Sequence, residues 1–349
     1  MHCTVRELLT PSERDQARAL LRSQGLEMPG PVDYGVAAWR GSAMIATGFR
    51  GGDVLMGLCV EPSFRGEGVS LSLVNELLRQ AVECGRGRLF IFTKPSEVSF
   101  FAGIGFSLVS AVPGHAALLE WGVTGFGDWI GGLMPDEPDP APVGAVVLNA
   151  NPFTLGHRHL LESAARRCRT VYAFVVEADC SAFPFADRLR LVREGTAHIP
   201  QCRVLPGGAY IISLATFPSY FSGAERHAAN HAALDLHLFG QRIAPALSIR
   251  ARFVGTEPVS AVTATYNRTM RDILPGYGIE VCELDRIETR GAVISASTVR
   301  ARLSEGNVAA ALDLVPPTTA AYLRSPQAGP VLERLRLERD KPASNMETP

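Results

Sequence analysis

The feature that most restricts how this chain can fold is an alternation in its second half. From residue 143 onward, short apolar runs (AVVLNA, TVYAFVVE, CRVLP, ARFVG, EVCELD) are separated by stretches with helical spacing such as HRHLLESAARRC and AVTATYNRTMRDIL. Near-continuous apolar strands alternating with helices predict a parallel sheet covered on both faces. Ligands of such sheets sit outside the carboxyl ends of the strands. The first of those ends carries LNANPFTLGHRHLLESAARRC, residues 148–168.

A helix beginning near Gly156 has unpaired N–H groups and the positive end of its dipole at that point, which attracts phosphate. Gly156 lets backbone approach a ligand closely, and His157 can donate from its imidazole to a phosphoryl oxygen. Asn149, Asn151 and Thr154 add neutral donors and acceptors, and Pro152 fixes the turn. The same residues also describe an ordinary N-capped helix with a solvated histidine. A second segment of this kind, Ile-Ser-Ala-Ser-Thr-Val-Arg, spans residues 294–300. Hydroxyls at Ser295, Ser297 and Thr298 stand at a helix start with Arg300 one turn in, again a phosphate-compatible set. Here too a plain serine cap with a surface arginine is the competing reading.

The first half reads differently. Strand candidates are Gly35–Trp39 with Ala43–Phe49, Val54–Val60 and Leu89–Thr93; a helix is predicted from about Val69 to Cys84, with Val69, Leu73, Leu77 and Val82 on its buried face. Between strand and helix lies Arg65-Gly66-Glu67-Gly68, either a glycine loop holding pyrophosphate at a helix N-terminus or a tight turn. Residues 127–142, GDWIGGLMPDEPDPAP, have the composition of a linker. The expected domains are therefore 1–126 and 143–325, joined by 127–142. Residues 326–349 are expected to form a polar, partly disordered tail containing at most a short surface helix.

Bulk properties narrow the class. The chain has 349 residues, 46% of them hydrophobic, and a net charge of −1. That gives no reason to expect a nucleic-acid or membrane partner. Its seven cysteines are scattered without a C-x-x-C pair, which suits reduced thiols. The polar N-terminus lacks a signal-peptide core, so a cytoplasmic location is expected.

T-x-G-H after the first strand and I-S-x-S-x-V-R near the domain's end together resemble the nucleotidylyltransferase superfamily of α/β-phosphodiesterases, from about Val143 to Arg324. That resemblance implies a Rossmann-like fold binding ATP, with Thr154, His157 and Arg300 as catalytic residues. His157 would stabilise the α-phosphate and the departing pyrophosphate. Ser295–Arg300 would hold the β- and γ-phosphates, and Mg²⁺ would be held mainly by ATP. The implied nucleotide set is Asn149, Asn151, Phe153, Gly156, Ser295, Ser297 and Thr298; Gly255 and Glu257 of the GTEP segment are read either near adenine or ribose or as a strand-end turn with a solvated Glu257. Ala296 departs from the commoner Ser, so its contacts can only be backbone. Around Arg65, Gly66 and Gly68, and in TKPSEVSFFAGIGF (93–106), the chain resembles the Gcn5-related N-acetyltransferase fold, which binds coenzyme A at that loop; Ser70 stands where Gly or Ala is usual. The expected fold class is thus α/β: an acetyltransferase-like α+β domain followed by a Rossmann-like parallel-sheet domain.

The domain order, with NANPFTLGHR, FPFADRLRLVREGT, TFPSYF, FVGTEPVSAVTATYNRTM and ISASTVR, resembles the citrate lyase ligase family. Membership implies that acetate and ATP give acetyl-adenylate and pyrophosphate. The acetyl group then passes to the thiol of the phosphoribosyl-dephospho-coenzyme-A arm on the lyase's acyl-carrier subunit. The Arg65–Gly68 loop would grip that arm's diphosphate. Rival readings are an adenylyltransferase for phosphopantetheine or a mononucleotide, an N-acetyltransferase, and a non-catalytic carrier-binding regulator.

Other residues leave alternatives open. Arg188, Arg190 and Arg193 follow FPF; a solvated helix face competes with a phosphate contact by Arg188. PSYF (218–221) is expected near substrate or carrier, and Tyr266 and Asn267 are read as packing or capping groups. His227, His231 and Asp235 have helical spacing, but without a glutamate beside His227 or a further His pair no metal site is expected.

Overall fold

The computed structural model describes residues 3–177, 181–213, 228–257, 260–289 and 292–339. The chain forms two compact units that divide between Asp128 and Trp129.

The N-terminal unit is built on a seven-stranded mixed sheet of order β1-β2-β3-β4-β5-β7-β6. Its strands are β1 (Thr4–Glu7), β2 (Tyr34–Arg40), β3 (Ala43–Gly51), β4 (Val54–Val60), β5 (Arg88–Thr93), β6 (Ser107–Val112) and β7 (Ala116–Gly122). The parallel pair β4–β5 is joined only through Val54↔Phe90 and Leu55↔Ile91, so the two strands part beyond that point. β4 leads through a short turn to Gly66 and Gly68, both left-handed (φ +83° and +78°). Gly68 is the N-cap of α2 (Val69–Glu83). That helix buries Val69, Leu73, Val74, Leu77 and Ala81. Val82 departs from the expected face and is exposed, because the face toward the sheet runs through Val74 and Ala81 instead. α1 (Pro11–Ser23) opens with a reciprocal cap between Thr10 and Glu13. After α3 (Val98–Gly103), the chain turns at Gly105 into β6, and α4 (Phe126–Gly131) follows β7.

The second unit has the expected parallel sheet. β8 (Val143–Leu148), β9 (Thr170–Val175), β10 (Cys202–Pro206), β11 (Ala251–Gly255) and β12 (Glu280–Leu284) lie in the order β10-β9-β8-β11-β12, and all four pairings are parallel. The order reverses between β8 and β11, where the carboxyl ends of the strands open a crevice. α5 (Leu155–Arg167) follows β8, α6 (Phe185–Gly195) follows β9, α7 (Ala228–Leu238) precedes β11 and α8 (Ala261–Ile273) follows it. β12 leads through the small hairpin of β13 (Glu288–Thr289) and β14 (Ala292–Val293) to α9 (Ala296–Ser304).

Two segments are tied more closely to this unit than composition suggests. Within the Pro- and acid-rich stretch, Trp129 packs on Tyr210 with ring centroids 5.0 Å apart. Asp139, nearly buried, accepts from the Tyr172 hydroxyl and pairs with Arg203. Beyond Ser325, a helix over Gly329–Arg339 buries Val331 and Leu335 in the main core. The folded unit therefore extends past the boundary read from composition; residues 340–349 lie outside the described residues.

Candidate functional site

The crevice at the sheet's switch point encloses about 450 Å³. Its walls come from the ends of β8 and β11, the starts of α5, α8 and α9, and the chain after β12. Two of those helix starts carry the sequence motifs. Gly156 explains how they meet: a Cβ there would lie 3.0 Å from the carbonyl oxygen of Ile294. Glycine lets the first turn of α5 pack this closely on the residue that precedes the α9 cap, where a larger side chain would press on that oxygen.

Thr154 is the N-cap of α5, in extended conformation. Its Oγ1 accepts from the His157 N–H at 3.3 Å, and its own N–H donates to His157 Nδ1 at 3.1 Å. This reciprocal cap usually employs Glu or Gln at the third helical position; here the imidazole takes that place. With Nδ1 accepting, the proton of the neutral ring sits on Nε2. Burial, reinforced by the Arg286 and Arg300 guanidiniums, pushes the imidazole down to about 4. His157 is thus a neutral, oriented Nε2–H donor at the crevice. Phe153 stacks on it, with centroids 5.9 Å apart and planes within 13°.

On the α9 side, Ser295 caps the helix by accepting from the Thr298 N–H at 3.0 Å. Arg300 donates from Nη1 to the Asn151 carbonyl at 2.6 Å and from Nη2 to Ser297 Oγ at 3.3 Å. Asn151 Oδ1 in turn accepts from the Phe183 N–H. At the opposite wall, no atom of the described residues lies within 4 Å of a Cβ built at Gly255, and the Gly255 carbonyl accepts from Asn267 Nδ2. Glu257 accepts from the Ser260 N–H at the start of α8 and pairs with Arg286 at 2.5 Å.

Asn149, Asn151, Thr154, Gly156, His157, Gly255, Glu257, Ser295, Ser297 and Arg300 therefore share one cavity. Three expected site residues stand apart from it. Phe153 is fully buried and backs the imidazole from the core, so it is not part of the cavity wall. Thr298 does not line the cavity; its hydroxyl bonds Ser295 Oγ at 2.8 Å. Arg188 is the clearest correction. It is fully buried, with Nε on the Phe183 carbonyl and Nη1 on Asn149 O, Asn149 Oδ1 and Val176 O. Those bonds make Arg188 a clamp on Asn149 rather than a phosphate contact, and they engage the Oδ1 end of the Asn149 amide.

Arg286 escaped the sequence reading. No motif marks it, although its place just after β12, at the same sheet edge, was a usable signal. The buried Asp235 takes the Ile212 N–H and the Tyr266 hydroxyl on its two oxygens. It is a packing group, and among the described residues no metal-holding cluster of His, Cys, Asp or Glu occurs. His227 and PSYF lie outside the described residues. In the N-terminal unit, Arg65 anchors its own loop through the Val60 carbonyl and Gln24. Among the described residues, no atom lies within 4 Å of a Cβ built at Gly66 or Gly68.

Comparison with known proteins agrees with the division into two units. Residues 143–323 match the model of the citrate lyase ligase C-terminal domain, and residues 32–114 match that of an acetyltransferase (GNAT) domain. The citrate (pro-3S)-lyase ligase of Klebsiella pneumoniae is 39% identical over 324 residues, covering 91% of this chain and 95% of that protein. Its namesake from Escherichia coli K12 is 39% identical, covering 87% and 88%. That of Haemophilus influenzae is 35% identical, covering 88% and 94%. With this agreement along both units, and the T-x-G-H and I-S-x-S-x-V-R helix starts facing one crevice, the chain belongs to the citrate lyase ligase family.

Proposed function

We propose that the chain is an acid–thiol ligase that uses ATP to acetylate the prosthetic thiol on the acyl-carrier subunit of citrate lyase, switching the lyase on. An acetate oxygen attacks the α-phosphorus of ATP and the bond to the bridging oxygen breaks, giving acetyl-adenylate and pyrophosphate. The carrier thiolate then attacks the acetyl carbonyl, and AMP leaves. The observation that carries this reading is the meeting of the His157 Nε2–H, the N-termini of α5 and α9, and Arg300 around one 450 Å³ crevice.

The chain's own groups position reactants and absorb charge. His157 donates to the α-phosphoryl oxygens as negative charge builds on them. Ser297, the α9 N-terminus and Arg300 hold the departing phosphates. Gly255 leaves room for the nucleoside. This donor set is cationic and neutral, which fits a triphosphate that brings its own metal. Mg²⁺ held by the phosphates would supply further charge neutralisation. The Arg65–Gly68 loop, at the start of α2, receives the diphosphate of the carrier's arm. The proposed setting is the cytoplasm, with no nucleic-acid or membrane partner; among the described residues no helix is long and apolar enough to cross a membrane.

The test is exchange of labelled pyrophosphate into ATP with Mg²⁺, adding acetate, phosphopantetheine or nicotinamide mononucleotide separately. Acetate-dependent exchange is expected. Exchange only with a phosphorylated acceptor would instead make the chain an adenylyltransferase.

A further inference from the structure

Arg286 has no role in the steps above, yet it lies in the same crevice. Its Nε donates to the Thr256 carbonyl at 2.5 Å and its Nη2 to Glu257 at 2.5 Å. Among the described residues, Nη1 makes no hydrogen bond. The fork is therefore fixed on two of its nitrogens and offers the third. The side chain is 25% exposed, against 10% for Glu257. Both groups line the cavity, and the guanidinium is the more exposed of the two.

Arg286 and Arg300 differ in what surrounds them. Arg300 stands with Ser297 near a helix start whose cap is a neutral serine. That surrounding suits the high negative charge of a polyphosphate. At Arg286 the neighbouring helix start already carries a carboxylate, because Glu257 accepts the N–H of the cap residue Ser260 and pairs with the guanidinium at the same time, while Ser260 Oγ takes the Thr263 N–H. A second anion there meets a half-compensated cation and one carboxylate. This suits a single negative charge with two oxygens far better than a chain of phosphates.

The flanking residues give the other half of the recognition. Leu284 and Ile287, on either side of Arg286 in sequence, both line the cavity and pack against the core. A short alkyl group would find apolar surface beside the guanidinium. The adenylation step needs two anions on opposite sides of one phosphorus, and the cavity contains two guanidiniums with different charge environments. We propose that Arg286 is the residue that holds the carboxylate of the acid substrate, with Glu257 orienting its fork and Leu284 and Ile287 receiving the alkyl group. This assignment rests on the acid–thiol ligase reading.

The experiment measures pyrophosphate exchange against acetate at saturating Mg-ATP, and against ATP at saturating acetate. It uses the full chain and the variants Arg286→Lys, Arg286→Gln and Arg286→Ala. Loss of a charge-assisted hydrogen-bonded pair should raise the KM for acetate about 10- to 100-fold in Arg286→Gln, and less in Arg286→Lys. The KM for ATP should stay within about threefold, reporting an intact fold and nucleotide site. Added guanidinium ion should lower the acetate KM of Arg286→Ala, a rescue that a purely structural role would not show. A rise in the KM for ATP with acetate KM unchanged would make Arg286 a nucleotide ligand and overturn the assignment. So would normal values for both. If the wild-type chain shows no acetate-dependent exchange, the ligase reading itself fails, and that outcome is visible before any variant is made.

Discussion

The carbonyl oxygen of Asn151 accepts a 2.6 Å hydrogen bond from Arg300 Nη1, across 149 residues of sequence. This contact ties the turn that opens α5 to α9, one turn in from its start. The two motif-bearing helix starts are held as one unit, with the His157 donor and the Ser297 hydroxyl in fixed relation. A guanidinium already fixed at one nitrogen needs to lose little conformational freedom when phosphates arrive.

Arg300→Ala should therefore act twice. The Asn151 carbonyl loses a charged donor, costing about 1–3 kcal/mol of stability. Loss of charge stabilisation for the leaving group should lower turnover by about 10²–10³-fold. Urea unfolding reads the first effect and acetate-dependent pyrophosphate exchange the second. Arg300→Lys, which keeps charge but not the fork, should recover only part of the activity.

Gly156→Ala sets two local effects against each other. Alanine gains at most about 1 kcal/mol of helix propensity over glycine, and less in the first turn than in a helix interior. Its methyl would press on the Ile294 backbone oxygen at 3.0 Å, an overpacking that costs about 1–3 kcal/mol. The expected net change in stability is a small loss. The displacement falls on the joint between α5 and α9, so the KM for ATP should rise about tenfold. An unchanged KM would show that the two helix starts do not need this contact.

His157→Ala should lower turnover by about 10²–10³-fold through lost charge stabilisation; wild-type turnover would sink the role given to His157. The pH behaviour is a separate check. The imidazole is lowered from 6.5 to about 4 in the folded chain, so the unfolded chain takes up the proton first as pH falls. The stability tied to the neutral ring is full above pH 6.5 and is lost on acidification toward pH 4. At most this amounts to about 3 kcal/mol. His157→Asn should flatten that part of the stability curve. The kcat/KM of the wild type for ATP should show no inflection near pH 6.5 from this residue.

The parts of this molecule that local chemistry determines could be read in the sequence. The apolar runs gave a parallel sheet, and T-L-G-H and I-S-A-S marked the two helix starts because capping is a matter of neighbouring residues. The Thr10–Glu13 cap of α1 was equally local but went unused in the sequence reading. Arg188 could not be resolved this way: an arginine on a helix face looks the same whether its acceptors are water or the carbonyls of Asn149 and Val176. Phe153 failed for a related reason. Stacking on His157 turns its ring to the inner side of the imidazole, away from the cavity. Arg286 carried no motif, since its two anchors come from the loop after another strand.

The N-terminal unit supplies a prediction that leaves adenylation untouched. Gly68 caps α2 at φ +78°, with no atom of the described residues near the position of a Cβ. A β-branched residue is badly strained in that conformation, and its side chain would also occupy the space over the helix N-terminus. Gly68→Val should therefore distort the loop locally while the buried face of α2, from Val69 to Ala81, keeps the unit folded. If the loop receives the diphosphate of the carrier's arm, the KM for the carrier should rise at least about tenfold in thioester formation. Acetate-dependent pyrophosphate exchange, which needs no carrier, should keep its wild-type rate. Equal loss of both activities would place the defect in folding, and that can be checked by thermal unfolding of the same preparation. Wild-type values for both would show that Arg65–Gly68 is only a turn, and the carrier's arm would have to be received elsewhere on the chain.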